Sequence, residues 1–261
     1  MKSKTFITSV ILALAAIVCL AVIFYYRSQK NNEPIIPNQP ENFSTNLPAT
    51  ENEISTSTPL FKIEGEISRG NPNKKQIIFT FDGGSGINSG EKILEITAKH
   101  DVKATFFATG KFAEKYPNFI KQAAADGHEI FNHTYSHPYL TQISDEQIKE
   151  EFTKVDDVIK SLTNKDTRPF FRPPYGDRNA HVLEVAQNEG YQSVFWTLDA
   201  LDWMPEKTTE QTKDRILSNL KNGSIILMHI GDNITGQILD EVFTEIEEQG
   251  YKIVNLSEGL K

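Results

Sequence analysis

Cysteine is almost absent: Cys19 is the one thiol in 261 residues. No intramolecular disulfide framework and no cysteine-based zinc cluster can form. Positive charge is also scarce. Against 35 acidic residues stand 27 basic ones, a net charge of −8. That balance excludes a non-specific nucleic-acid binder, which needs a basic surface to neutralise phosphates. Long apolar runs are missing from most of the chain. Hydrophobic residues make up 38% and the mean hydropathy is −0.40, which excludes a bundle of membrane spans and equally a wholly disordered chain. No internal repeat is visible. The length suits one large domain, or two small ones, with a sizeable core.

One apolar run does exist, at residues 6–26, FITSVILALAAIVCLAVIFYY, and it carries no charge. About 20 apolar residues in a helix span a bilayer core. Lys2 and Lys4 precede the run, Arg27 and Lys30 follow it, and Tyr25 and Tyr26 sit where amphipathic rings prefer the interface. A cleaved signal peptide would have a shorter apolar region and a small-x-small cleavage site. Here the run ends in IFYYR, and Ile17 and Val18 before Cys19 make a poor lipidation signal. The expectation is an uncleaved single-pass transmembrane anchor, residues 1–30, with the bulk of the chain outside. All 35 acidic residues lie beyond residue 30, so the exported part is the acidic part. Residues 31–60 are rich in Asn, Pro, Ser and Thr without periodicity and read as a disordered, flexible tether. Residues 61–261 read as the functional domain, with its motifs in 76–258.

From residue 76 short apolar runs alternate with helical patterns. Seven strands are expected: QIIFTF (76–81), ATFFAT (104–109), EIFNH (129–133), PFFR (169–172), SVFWTL (193–198), SIILMH (224–229) and KIVNL (252–256). Helices are expected near 91–100, 112–125, 144–163, 179–189, 208–221 and 236–249. Ile148, Phe152, Val155, Ile159 and Leu162 form one apolar helical face, and Ser144 with Gln147 reads as its capping box. Alternating strands and helices imply a parallel sheet, open or closed. Polar residues choose between these. Asp82, His133, Arg172, Asp199 and His229 all sit at C-terminal strand ends, which converge in a β/α barrel. The expected fold is an α/β deformed (β/α)7-type barrel.

Each polar segment has a bland reading. Asp82 in TFDGG could be a turn residue. The two histidines of HTYSH (133–137) could ligate a divalent metal, although such a pair alone is more often incidental. The prolines of FRPPYG (171–176) make a stiff loop. They do not explain Arg172 beside Phe170 and Phe171, and a buried arginine wants a carboxylate. In WTLDALDW (196–203) Trp196 reads as core and Asp202 as a cap, and His229 alone reads as structural.

Together and in this order, TFDGG, HTYSH, RPPYG, DALDW and LMH resemble the motifs of the polysaccharide deacetylases. These are metal-dependent carbohydrate esterases with a nodulation-protein-B homology domain (carbohydrate esterase family 4). The resemblance covers residues 75–258 and implies a deformed β/α barrel. It also implies removal of acetyl groups from N-acetylated amino sugars of a polysaccharide, peptidoglycan above all. His133 and His137 would hold a divalent metal, usually zinc. Asp82 would be the general base, Arg172 its orienting partner, His229 the general acid and Asp199 the carboxylate paired with it. The backbone N–H of Tyr175 would help to hold the oxyanion, and Trp203 and Leu227 would line the sugar pocket. The family's first motif has a second aspartate as metal ligand, and here that position is Gly83. Three readings follow: a water or a carboxylate from elsewhere completes the metal site, which is the expectation; Asp82 itself leans onto the metal; or the site has lost catalysis and only binds glycan. An O-acetyl esterase is a further alternative. The expected setting is a monomer on the cell membrane, facing wall polysaccharide, with no nucleic-acid partner.

Overall fold

Strand β1 (Gln76–Gly83) is the seam on which the sheet is built. One edge pairs along residues 77–82 with β7 (Ser224–His229). The other edge takes β8 (Lys252–Val254) at its start and β2 (Thr105–Ala108) at its end. Outward from β2 come β3 (Glu129–Asn132), β4 (Phe170–Phe171) and β5 (Gln192–Ser193), while β6 (Leu198–Asp199) lies beyond β7. Every ladder is parallel. The structure is a computed structural model that describes residues 65–261. The expected anchor and tether, residues 1–60, lie outside the described residues. Among the described residues no helix is long and apolar enough to cross a membrane.

The two end strands of this order, β5 and β6, are joined by residues 194–197 alone, so one short segment touches both edges of the sheet. The sheet therefore curls into a deformed barrel. The expected strand SVFWTL is split in two. Phe195 and Trp196 stack on each other with ring centroids 3.7 Å apart. Consecutive residues of a strand point to opposite faces, so this stack breaks the strand. Ile67 enters the gap: its N–H donates to Ser193 O at 2.9 Å and its carbonyl accepts the Phe195 N–H at 2.7 Å. Among the described residues the sheet has eight short strands where seven are expected.

Two other expectations change. The helix expected over 112–125 is broken into α2 (Gly110–Lys115) and α3 (Pro117–Ala125). Pro117 lacks an N–H and disfavours helix at the residue before it. The last strand stops at Val254 because the Asn255 side chain accepts the Glu258 N–H and starts the short helix α8 (Leu256–Gly259). The other helices are α1 (Gly90–Lys99), α4 (Asp145–Thr163), α5 (Ala180–Asn188), α6 (Thr209–Ser218) and α7 (Asn233–Glu248). The Ser144–Gln147 capping box of α4 is present with both of its bonds.

Period-two alternation along β1 decides what faces where. Phe79 and Phe81 pack outward with Phe106 of β2 and with Phe112, Phe119 and Phe243 of the helical layer. Ile78 packs inward with Phe107, Phe131, Ile225 and Val254. Thr80 and Asp82 continue that inward face toward the mouth. On β7, Ile225, Leu227 and His229 do the same. Asp82 and His229 are register partners on adjacent strands.

Gly223 immediately precedes β7 at φ +72°, and a Cβ there would lie 2.8 Å from the Asn71 carbonyl oxygen and the Gly70 carbonyl carbon. Gly127 has φ +84°, with Lys103 carbons no nearer than 3.8 Å. Gly127→Ala should lower unfolding stability by about 1 kcal/mol from backbone strain alone. Gly223→Ala should lower it by clearly more, because backbone must also move. Urea titrations of the two variants check the ordering.

Candidate active site

Arg172 follows β4 and is fully buried. Its Nη1 donates to Asp82 Oδ1 at 2.7 Å and to Thr80 Oγ1 at 2.9 Å. Its Nε and Nη2 reach the carbonyls of Val194 and Phe195, each at 3.2 Å. The sequence demanded a carboxylate for this arginine, and Asp82 is that carboxylate. Burial opposes the charge of Asp82. Arg172, with His133 and His229 behind it, outweighs burial and holds the carboxyl below its ordinary range.

His133 follows β3, and its Nδ1 donates to the Arg172 carbonyl at 2.9 Å. That bond fixes the tautomer and leaves Nε2 as an acceptor. His133 Nε2 lies 3.2 Å from His137 Nε2 and 3.5 Å from Asp82 Oδ2. Burial pushes both histidines down, and the neighbouring His133 adds to this at His137, which falls to about 3. Both rings are neutral near pH 7. Between them the turn carries Thr134 at φ 63° and His137 at φ 65°, conformations disfavoured for side chains. Asn132 Oδ1 accepts the Thr134 N–H at 2.8 Å, and Glu151 of α4 accepts the Ser136 N–H at 2.6 Å and hydroxyl at 2.7 Å. These bonds hold the pair converged.

His229 ends β7. Its Nδ1 and backbone N–H both donate to Asp202, at 2.9 and 2.7 Å, and the Thr235 hydroxyl donates to the same carboxylate at 2.5 Å. Burial would push this imidazole down. The hydrogen bond and charge of Asp202, with Asp82 and Asp199 nearby, prevail and raise it to about 9. It is a cation at neutral pH. Here the sequence expectation is corrected: the carboxylate paired with His229 is Asp202, not Asp199. Asp199 is taken up by the Leu201 N–H at 2.8 Å and the Trp203 indole N–H at 3.3 Å, and it orients that ring.

Asp82, His133, His137, Tyr175, Asp199, Trp203, Leu227 and His229 line one cleft of about 600 Å³, and Arg172 lies behind Asp82. Every expected site residue is therefore brought together. Trp196, read as core, is half-buried and also lines the cleft. Sequence reasoning missed Thr80 as well. Its signal was its position two residues before Asp82, on the same inward face. The signal for Asp202 was the second aspartate of DALDW.

Two neutral imidazole nitrogens converge at 3.2 Å, a donor pair that suits a divalent cation, and Asp82 Oδ2 stands 3.5 Å from one of them; the three ligand atoms do not all come within 4.8 Å of one another. Position 83 adds nothing. By alternation it faces outward, and a Cβ there would meet Ile230 at 3.0 Å and Phe112 at 3.1 Å. A side chain at this position would need those two apolar side chains to give by a few tenths of an ångström. Asp202, His229 and Asp232 also bring ligand-type atoms within 4.8 Å of one another. With His229 protonated and bonded to Asp202, that group is an ion pair in character.

An anionic carboxylate, a cationic imidazole and a cation-ready histidine pair at a barrel mouth define a class: hydrolases that attack a carbonyl and protonate a poor leaving group. Comparison with known proteins narrows the class. The polysaccharide deacetylase family model matches residues 69–194. A Bacillus cereus peptidoglycan-N-acetylglucosamine deacetylase is 32% identical, covering 89% of this chain and 85% of that protein. The Bacillus subtilis peptidoglycan-N-acetylmuramic acid deacetylase PdaA is 33% identical over 72% of this chain and 73% of its own. The structure of PdaA, a family 4 carbohydrate esterase, aligns with a TM-score of 0.72 at 32% identity, covering 75% of this chain and 85% of that one. A family 4 pseudoenzyme from Bacillus anthracis aligns with a TM-score of 0.71 at 34% identity, covering 75% and 69%. A mutant of that pseudoenzyme has restored activity. The chain belongs to the polysaccharide deacetylase family, carbohydrate esterase family 4, hydrolases of linear amide C–N bonds.

A histidine raised on folding stabilises the fold below pH 6.5, and that contribution is lost as pH rises through about 9. Asp202→Asn should bring the His229 titration down to the ordinary imidazole range near 6.5 or lower. Imidazole NMR titration checks this, and the same variant should lose the pH-dependent part of its stability between those limits.

Proposed function

We propose that this chain hydrolyses N-acetyl groups from amino sugars of a polysaccharide, with peptidoglycan as the substrate. The observation that carries the reading is the pairing of charge states across β1 and β7. Asp82 is held anionic by Arg172, and its register partner His229 is held cationic by Asp202. An anionic base facing a protonated acid is what amide hydrolysis needs, because an amine anion is a very poor leaving group. Asp82 takes the proton of the attacking water. His229, through the Nε2 not committed to Asp202, gives a proton to the departing nitrogen. Tyr175 offers its backbone N–H to the developing oxyanion. Trp203 and Leu227 wall the acetyl and sugar pocket.

His133 and His137 would hold a divalent cation, zinc by family habit, with Asp82 beside it as the base. A cation there supplies Lewis-acid polarisation of the acetamide carbonyl and a water of lowered pKa. A carboxylate as acidic as Asp82 is a weak base alone, so turnover depends on that supply. In the same reading the apolar run at residues 6–26 anchors a monomer in the cell membrane with the barrel toward the wall.

One observation favours a second reading. Gly83 supplies no carboxylate where the family has its second aspartate, and a similar structure is a pseudoenzyme. On that reading the cleft binds glycan without turnover.

The test is acetate release from peptidoglycan and from chitooligosaccharides by the full chain, supplied in turn with different divalent metals. Release with at least one metal supports the deacetylase. Glycan binding without release under any metal supports the second reading. His229→Ala should lower turnover at least about 100-fold while bound metal, read by elemental analysis, stays. His133→Ala should lose both.

A further inference from the structure

Glu66 belongs to none of the motifs and lies ahead of the matched stretch 69–194, yet its side chain is 2% exposed. A buried carboxylate demands a partner, and Arg178 supplies a bidentate one. Arg178 Nε donates to Glu66 Oε1 at 2.6 Å and Nη2 to Oε2 at 2.8 Å. The Ser193 hydroxyl donates to Oε1 as well, at 3.1 Å. The remaining arm of the guanidinium turns elsewhere. Arg178 Nη1 donates to the carbonyl of Gly176 at 3.1 Å. Gly176 follows Tyr175, whose backbone N–H is the oxyanion donor of the proposed reaction.

Tyr175 needs to be held. It takes φ 58° and ψ 6°, a left-handed conformation disfavoured for a residue with a side chain. Such a conformation persists where the surroundings over-determine it. The Gly176 N–H donates to the Pro173 carbonyl at 3.1 Å and the Asp177 N–H to the Pro174 carbonyl at 2.8 Å, which closes the turn around Tyr175. The Tyr175 N–H itself meets no backbone acceptor among the described residues. Gly176 presses on the cleft wall: a Cβ there would lie 2.9 Å from Phe195 and 3.0 Å from Trp196. Arg178 covers the same Phe195 ring, with its guanidinium carbon 3.6 Å from the centroid. The turn is thus seated against the wall at Gly176 and tied to Glu66 through the Gly176 carbonyl. Glu66 is fixed in its turn by Ile67, whose N–H and carbonyl are bonded to Ser193 and Phe195.

We propose that Glu66 and Arg178 are positioning residues for the oxyanion contact. Their forked ion pair holds the Gly176 carbonyl and so keeps the Tyr175 N–H presented to an oxygen anion in the cleft. This rests on the deacetylase reading of the same cleft. A merely structural pair needs opposite charges, which a lysine would also supply. Holding Glu66 and the Gly176 carbonyl together needs the planar fork of an arginine. A preorganised donor acts through its placement, and losing one typically costs about 100- to 1000-fold in turnover. A donor that is present but loosened costs less.

Arg178→Lys is the direct variant, because it leaves Glu66 a counter-charge. Glu66→Gln removes one arm of the fork and serves if the first variant does not fold. The full chain, with zinc supplied, is titrated with acetate while the Tyr175 amide is followed by NMR. In the wild type, acetate should shift that amide. In either variant the acetate affinity read there should fall about tenfold with bound zinc unchanged. In acetate-release assays kcat should fall at least about tenfold while KM stays at the wild-type value. A Tyr175 amide indifferent to acetate in the wild type would overturn the proposal. So would variants that bind acetate as the wild type does, or that raise KM and keep kcat. If the wild type releases no acetate with any metal, the deacetylase reading fails, and the acetate titration alone decides the positioning claim. If the wild type releases acetate and the variants match it, the deacetylase reading stands and the positioning claim fails.

Discussion

The buried pair of Arg172 and Asp82 is the contact on which the rest depends. A guanidinium with no exposed surface has given up its hydration, and only well-placed partners compensate for that loss. Here the partners come from two parts of the barrel: Thr80 and Asp82 on β1, and the carbonyls of Val194 and Phe195 in the segment that closes the ring. Phe107 lies 4.2 Å from the guanidinium carbon and screens it from water. Removing one partner of such a pair typically costs about 3–5 kcal/mol, because the other is left charged and unpaired. The same contact closes the barrel and sets the charge of the cleft.

From that fixed anion the other charges are ordered. Arg172 also accepts the His133 proton on its backbone carbonyl, so one residue orients both the carboxylate and the first imidazole. The two histidines stay neutral, with nitrogens turned toward one another, and their strained turn is held by Asn132 and Glu151. On the far side of Asp82, His229 stays protonated against Asp202. The departure at Gly83 is more than a missing side chain. Strand alternation turns that position toward Phe112 and Ile230, so Asp82 is the carboxylate beside the histidine pair.

Much of this was readable in the sequence because period-two alternation and strand-end position are local properties. Asp82, His133, Arg172 and His229 were placed at the mouth from strand ends alone, and the demand of Arg172 for a carboxylate was met. The partner of His229 was misassigned because Asp199 and Asp202 are three residues apart in one motif. Only the folded loop shows that Trp203 and Leu201 occupy the first, leaving the second to face β7. The break in SVFWTL was hidden for another reason. Its cause, Ile67, lies more than a hundred residues away.

The central claim is that Arg172 keeps Asp82 ionised inside the barrel. A carboxyl-carbon NMR titration of the full chain, with aspartate carboxyl groups labelled and Asp82 assigned by its Asp82→Asn variant, measures this directly. The account predicts an Asp82 inflection below the ordinary 3.8, so that the group is charged through the neutral range. An inflection above about 5, the direction that burial alone would give, would contradict it.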